Sequence, residues 1–432
     1  MASTQSGSLQ NRAAPILSSI RPFRFRAPFA LKPSDRGMQE IGLDPVDGTR
    51  RALPGIRHWE SSCSATVAAT GLNERQGITM SPIDLSTTYL GLQLANPFLA
   101  GASPLSDHLD TVRRLEDGGC AAIVLHSLFE EQITQKETGR IRHMDQLDRQ
   151  FATVVSYFPE PELYALGPDE YLEHVRRVKA AVKIPVIGSL NGTTPEAWLK
   201  FARLIEQAGA DALELNMYEV VTDLGQSAAA IEHSLKQIVQ DLASELKIPL
   251  AIKLSPFFTA FGSVARSLDE AGARGLVLFN RFLQPDIDIR HVAVWPRLEL
   301  SSSDELLLRL RWLAILYGRV TCSLAATGGV ATPNDGIKAI LAGSDAVQMV
   351  SAILRHGPSY FTLMRDELRR WMESSGFGSV SDIRGRLSLA KTEDPNAFER
   401  AQYIRTISGW SSWLGYQAYV RAHEDDNPTP PS

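Results

Sequence analysis

From residue 80 onward a single unit recurs: a helical stretch ends in glycine, a short polar step follows, and a strand-length apolar run comes next. "EDGGCAAIVLHS", "EQAGADALELNM", "DEAGARGLVLFN" and "LAGSDAVQMVS" share this order, with helix stops at Gly119, Gly209, Gly272 and Gly343. Glycine suits a helix end because the chain often leaves through positive φ, which a side chain opposes. A second form, "VKIPVIGSLN" and "LKIPLAIKLS", enters its strand through Pro185 or Pro249, which cannot continue a helix and is tolerated at a strand's first position. With "ANPFLAGAS" and "TCSLAATGG" these make eight apolar runs, near 96–102, 121–126, 185–190, 212–216, 250–254, 275–280, 321–326 and 345–350.

Helical stretches alternate with them, near 107–117, 169–182, 195–208, 226–246, 262–271, 304–316, 333–342 and 358–375. Thr194-Pro195 and Thr332-Pro333 read as helix starts, with proline at the first helical position behind a capping hydroxyl. Strands that are apolar throughout and alternate with helices predict a parallel sheet covered on its outer face. Eight such units close into a (β/α)8 TIM barrel, an α/β fold of about 250 residues in general. A doubly wound open sheet is the alternative, but no GxGxxG turn follows any of the strands. The barrel is therefore assigned to 80–390 as a single domain, followed by a helical or irregular tail over 391–432.

The first 34 residues hold no Asp or Glu but carry Arg12, Arg21, Arg24, Arg26 and Lys32 among many serines, and residues 1–79 lack sustained periodicity. Three readings stand for this irregular extension: a disordered tail, an organelle-targeting segment, or an over-extended start ahead of Met80. A formal net charge of −5, with no Lys/Arg-rich run in the body of the chain, gives no basic field for nucleic acid. Cys63, Cys120 and Cys322 are too few and too scattered for a disulfide framework or a metal-ligand set, so a reducing compartment and no metal are expected. No apolar run approaches the roughly 18 to 20 residues of a membrane span. The expectation is a soluble, cytoplasmic protein.

In a barrel of this kind the active site collects at the C-terminal ends of the strands. Here those ends carry His126 and Ser127, Asn191, Asn216, Lys253 and Asn280. Asparagine at a strand end also turns chains or caps helices, so each amide has an ordinary reading as well. Lys253 is different. It lies inside the apolar run "PLAIKLSPF", where an ammonium must meet a partner or a ligand. Strand 7 ends in "AATGGVATPND", which places Gly328 and Gly329 ahead of a helix, and Ser351 follows strand 8. Loops after strands 7 and 8 form a common phosphate site of such barrels. A phosphate facing amides and a lysine suits flavin mononucleotide (FMN), with the lysine stabilising negative charge on the reduced ring.

On these residues the sequence resembles the dihydroorotate dehydrogenases, FMN-dependent (β/α)8 enzymes of pyrimidine biosynthesis. The resemblance runs from about Ile83 to Leu387: "LGLQLANPFLAGAS" at the opening, "ELN" at strand 4, "IKLSPFF" at strand 5, and "ATGGVATPNDGIKAILAGSDAVQMVSAI" at the phosphate end. It implies that Ala102 and Ser103 line the flavin, that Lys253 meets its pyrimidine edge, and that Gly328, Gly329 and Ser351 surround its phosphate. It further implies that Asn216 and Asn280 hold the substrate.

Four positions, in three loops, depart from the family pattern. His126 stands where the family has a lysine after strand 2, a shorter side chain that can still carry positive charge. Glu219 takes the place of the family's Cys or Ser base and Val221 that of its asparagine; Arg281 replaces a small polar residue. Taking a proton from carbon while hydride leaves for the flavin requires a base within hydrogen-bond reach. Glu219 serves if desolvation raises its pKa, Tyr218 is a second candidate, and both are otherwise solvated loop residues. Arg281 offers a substrate carboxylate a cation.

The expected function is oxidation of dihydroorotate to orotate. Two alternatives remain open: an FMN oxidoreductase for another reduced pyrimidine or small carboxylated substrate, and a catalytically silent flavin-binding subunit. No cysteine cluster for an iron–sulfur centre is present. The expected partners are a small-molecule substrate and either a second copy, through the excursion around Trp295, or a separate electron-transfer subunit.

Overall fold

In the computed structural model, residues 82–129, 167–192, 195–217, 220–282, 284–295, 298–392 and 395 are described, all within the unit Gly77–Ser432. The extension over 1–79, Tyr218, Glu219 and nearly all of the tail beyond 391 lie outside the described residues.

The described chain begins with an antiparallel hairpin, β1 (Thr87–Tyr89) and β2 (Leu92–Leu94), whose turn residues Leu90 and Gly91 both take positive φ. There follow β3 (Phe98–Ala100), β4 (Ile123–Val124), β5 (Leu128–Phe129), β6 (Val186–Asn191), β7 (Ala212–Asn216), β8 (Leu250–Leu254) and β9 (Gly275–Leu278). After an outlying hairpin, β10 (Asp286–Asp288) and β11 (Ala293–Trp295), come β12 (Ser323–Thr327) and β13 (Ala346–Met349). Eight strands, β3, β4, β6 to β9, β12 and β13, pair in parallel with their neighbours in this order; β13 returns to β3 and the ring closes. The fold is the expected (β/α)8 barrel. Short β5 adds a second pairing to β6 beyond β4.

Helices lie between the strands, and the punctuation read in the sequence positions their ends. Gly119, Gly209, Gly272 and Gly343 all take positive φ, from 93° to 124°. Thr332 caps the helix Pro333–Ala342 by accepting from the Asp335 backbone N–H, while the Asp335 carboxylate accepts from the Thr332 backbone. The expected helix over 358–375 is found as Tyr360–Ser375, and a short helix not expected from the sequence, Ser351–His356, precedes it, the two separated by Gly357 and Pro358.

Strand side chains alternate between two apolar layers. Leu213, Leu215, Ile252, Leu254 and Leu276 face outward among helix residues such as Val239, Phe261, Val264 and Leu268. Small residues face inward, Ala212, Ala251, Val277, Ala325 and Ala346, and leave room for the hairpin's Tyr89, Leu90 and Leu94 to fill the barrel floor. At the start of β9, an added Cβ on Gly275 would come within 2.4 Å of the Leu90 side chain. The hairpin is tied in further by Leu90 N–H donating to Ser323 Oγ and Thr87 Oγ1 donating to the Asp345 carbonyl. With the floor closed by apolar side chains, polar groups on the same inward positions are confined to the opposite, C-terminal half.

Candidate active site

The two-residue period of the strands carries the inward positions from apolar to polar: Ala212 to Glu214 to Asn216 on β7, Ala251 to Lys253 on β8, Ala346 to Gln348 on β13. Parallel register sets Glu214 opposite Ser189 and Asn216 opposite Lys253. Lys253 therefore emerges near the mouth with its side chain 9% exposed, and its Nζ lies 3.3 Å from Glu214 Oε1. The partner that a buried ammonium requires is a carboxylate two residues ahead of Asn216. The other oxygen of Glu214 accepts from Gln348 Nε2 at 2.5 Å.

Asn216 and Asn280 meet directly, Asn280 Nδ2 donating to Asn216 Oδ1 at 2.9 Å. Backbone bonds fix both: Met217 N–H donates to the Lys253 carbonyl, and Asn280 N–H to that of Leu254. One donated proton leaves Asn280 with its amide oxygen and a second N–H, and Asn216 with both N–H groups, which is the complement of a planar amide or carboxylate edge.

His126 lies at the end of the β4 segment. Its backbone N–H donates to Ser106 Oγ at 2.8 Å, and its Nδ1 is 3.2 Å from Asp107 Oδ1. Behind it the helix Pro168–Ala181 contributes buried His174, whose Nε2 donates to the Ser106 carbonyl at 2.7 Å. Burial holds the His174 pKa below its ordinary value, against the opposing pull of that carbonyl and of Asp107. The same helix sends the Tyr171 hydroxyl to the Ser189 backbone, and Ser189 Oγ meets Ser127 Oγ at 2.7 Å. Ser103 is buried and spends its hydroxyl on the Gly101 carbonyl, so it shapes the β3 loop; Ala102 beside it packs partly buried on the inner apolar layer. Val221 lies beyond β7 and is exposed.

At the opposite side of the mouth, Gly328 and Gly329 turn with φ of 77° and 79°. A Cβ on Gly329 would stand 2.4 Å from the Leu306 nitrogen, and one on Gly328 2.7 Å from Arg309 Nη2. The turn thus packs on the first turn of the helix Leu306–Leu316. Buried Arg309 donates through Nε to the Thr327 carbonyl and through Nη1 to that of Glu305. Gly329 N–H donates to Ser301 Oγ at 3.2 Å; Ser301 Oγ and N–H both reach Ser351 Oγ at 3.0 Å. Arg355 clamps the Leu300 and Ser301 carbonyls. Arg281 pairs with Glu305 at 3.2 Å. Backbone N–H, two serine hydroxyls and two guanidinium groups, donor types that suit an anion, gather on this side of the mouth, engaged here with protein oxygens.

The sequence-based candidates Lys253, Asn216, Asn280 and His126 are carried at the C-terminal ends of neighbouring strands, and Gly328, Gly329 and Ser351 gather after β12 and β13. Glu214, Gln348, Asp107, Ser301, Arg309 and Arg355 escaped the sequence reading. Glu214 was detectable, since it alternates in step with Asn216 on an otherwise apolar strand. Among the described residues no group of three His, Cys, Asp or Glu side chains is disposed to hold a metal ion. No described helix is long and apolar enough to cross a membrane.

Comparison with known proteins places this arrangement. The chain is 26% identical over 313 residues to the catalytic subunit of dihydroorotate dehydrogenase B (NAD(+)) of Thermoplasma acidophilum, covering 70% of this chain and 98% of that protein. It is 24% identical to the NAD-dependent dihydropyrimidine dehydrogenase subunit PreA of Escherichia coli, over 70% of this chain and 76% of that one. The chloroplastic dihydropyrimidine dehydrogenase (NADP(+)) of Arabidopsis thaliana is also 24% identical, over 77% and 85% respectively. The family model of dihydroorotate dehydrogenase matches residues 84–372, the whole barrel, and on that match the chain belongs to the dihydroorotate dehydrogenase family of oxidoreductases.

Proposed function

We propose that the chain binds FMN across the barrel mouth and oxidises a small planar substrate, with dihydroorotate as the first candidate. The observation that carries this reading is Lys253: a nearly buried ammonium at the end of an apolar strand, beside the Asn216–Asn280 amide pair and across the mouth from an anion-type donor set. The donors fit the group chemically, cationic and amide at one end, phosphate-binding at the other. When bound, FMN supplies the acceptor for hydride.

The residues of the chain do the rest. Lys253 offers positive charge to the pyrimidine edge of the ring. Gly328, Gly329 and Ser351, backed by Arg309, hold the phosphate, and Ala102 and Ser103 shape the loop along the ring. Asn216 and Asn280 grip the flat edge of the substrate, while His126, steadied by Asp107, and Arg281 supply cations for its carboxylate. Glu219 takes the proton from carbon. The electrons then pass to a soluble acceptor or to a separate electron-transfer subunit, in a cytoplasmic setting. The hairpin β10–β11, with Ile287, Val292, Val294 and Trp295 exposed, is the face proposed for a second copy.

A second substrate reading, a reduced pyrimidine lacking the carboxylate, is favoured by one observation. Val221, an apolar and exposed side chain, stands where a substrate-binding asparagine is expected. One anaerobic experiment separates the readings. The purified protein, mixed with FMN and then desalted, is expected to stay yellow and to bleach with dihydroorotate. Bleaching by dihydrouracil alone selects the second substrate; a protein that takes up no flavin sinks both.

A further inference from the structure

The barrel interior contains a buried polar chain that substrate and cofactor recognition does not explain. Glu214 is 1% exposed and spends its two carboxylate oxygens in different directions, Oε1 towards Lys253 Nζ at 3.3 Å and Oε2 towards Gln348 Nε2 at 2.5 Å. The three residues come from β7, β8 and β13, so the chain crosses the barrel instead of following adjacent strands. Because Gln348 gives its amide N–H to Glu214, the rest of its amide is left to the Tyr89 phenol, which is fully buried on the floor hairpin and interacts with the Gln348 side chain. A buried carboxylate with an ammonium on one oxygen only is an inefficient way to stabilise a fold, since desolvating both charges offsets most of their attraction. Its persistence two residues inside the mouth calls for another role.

We propose that Glu214 is the positioning residue for Lys253: it fixes the ammonium at the flavin end of the barrel and sets how much uncompensated positive charge that ammonium presents. This inference rests on the flavin reading above. Gln348, anchored next to the hairpin floor, holds Glu214 from the opposite side. In a low-dielectric interior the carboxylate and a negatively charged reduced ring compete for one ammonium. With Glu214 neutralised, the ring has the ammonium to itself and reduction becomes easier.

The test is the midpoint potential of FMN bound to the whole protein, measured against reference dyes. Glu214→Gln is expected to raise the ratio of reduced to oxidised flavin about tenfold at fixed potential, a positive shift of ~30 mV for a two-electron couple. Glu214→Asp, which keeps the charge, is expected to stay within about threefold of the wild type. A packing role alone would leave the potential of a folded variant where it was, so an unchanged or lowered potential in Glu214→Gln overturns the proposal. If Glu214→Gln does not fold, Gln348→Met serves: it keeps both charges and removes only the donor to Oε2. The proposal requires the ratio of reduced to oxidised flavin at fixed potential to change at least threefold in either direction, and no change overturns it. A wild-type protein that takes up no FMN sinks the flavin reading and with it the tuning of charge towards the ring, and the positioning of Lys253 by Glu214 is then read without flavin. The flavin-free protein is then labelled with ¹⁵N-lysine, and a slowly exchanging ammonium resonance that vanishes in Glu214→Gln (in Gln348→Met, if the former does not fold) is expected. Its absence from the wild type, or its survival in the variant, overturns the positioning claim.

Discussion

Lys253 and Glu214 stabilise each other only as a pair, which gives a prediction at the level of single residues. Lys253→Met leaves a carboxylate 1% exposed with Gln348 as its only hydrogen-bond partner among the described residues. Removing one member of a buried pair costs about 3–5 kcal/mol, whereas replacing both by apolar groups of similar volume is often neutral. Urea unfolding without flavin is expected to show that loss for Lys253→Met and recovery of most of it in Lys253→Met/Glu214→Leu. At Glu219 the expectation is kinetic. Glu219→Gln should retain flavin absorbance and lose about 10²- to 10⁴-fold in the rate of flavin reduction by substrate, measured by anaerobic stopped flow. A silent flavin-binding subunit would show no such loss. Lys253 was legible in the sequence because a lone charge in an apolar run has few innocent explanations. Arg309 was not: in "LLLRLRWLAIL" it looks like one of several solvent-facing cations, and only the approach of the Gly328 turn gives it a buried place.

Among the elements, the helix Pro168–Ala181 does more than cover the sheet. It reaches the site through two buried side chains, Tyr171 to Ser189 and His174 to Ser106, and Ser106 in turn holds the backbone of His126. Burial depresses the His174 pKa below its ordinary 6.5, with the Ser106 carbonyl and Asp107 pulling up and Arg177 and His108 pushing down. For a depressed group the contribution to stability is fully present above the unfolded value and is lost as pH falls through the folded one. The melting temperature should therefore decline as pH falls below about 6.5, and His174→Gln, which keeps a donor for the Ser106 carbonyl, should flatten that stretch of the curve. A parallel slope in both proteins would remove His174 from the account. Such a clasp is invisible to periodicity. What the pattern does reveal is the order of elements: glycine or proline at each helix-to-strand step is local chemistry, readable without neighbours. The two-residue β4 was read only approximately and the short helix Ser351–His356 not at all, because both depend on tertiary packing.

Across the whole molecule, the groups assigned to FMN come from two separated arcs of one ring. Lys253 sits on β8, beside the asparagines assigned to the substrate, while the phosphate donors follow β12 and β13 and include the helix Leu306–Leu316. A parallel barrel has no edge, so its strands open together, and a ligand spanning both arcs adds its binding free energy to the global transition. At a free concentration 100 times its dissociation constant, FMN adds ~2.7 kcal/mol. For a domain of this size that corresponds to a rise in melting temperature of about 5 °C. Riboflavin, which lacks the phosphate, should give a smaller rise at equal concentration, because it engages only the Lys253 arc. Gly329→Val separates the contributions further. Its side chain would collide with the Leu306 backbone at a residue already held at positive φ. The variant should melt lower without ligand and respond equally to FMN and riboflavin. If FMN retains its advantage over riboflavin in Gly329→Val, the phosphate is held somewhere other than this turn, and the anion-type donors after β12 and β13 serve a different purpose.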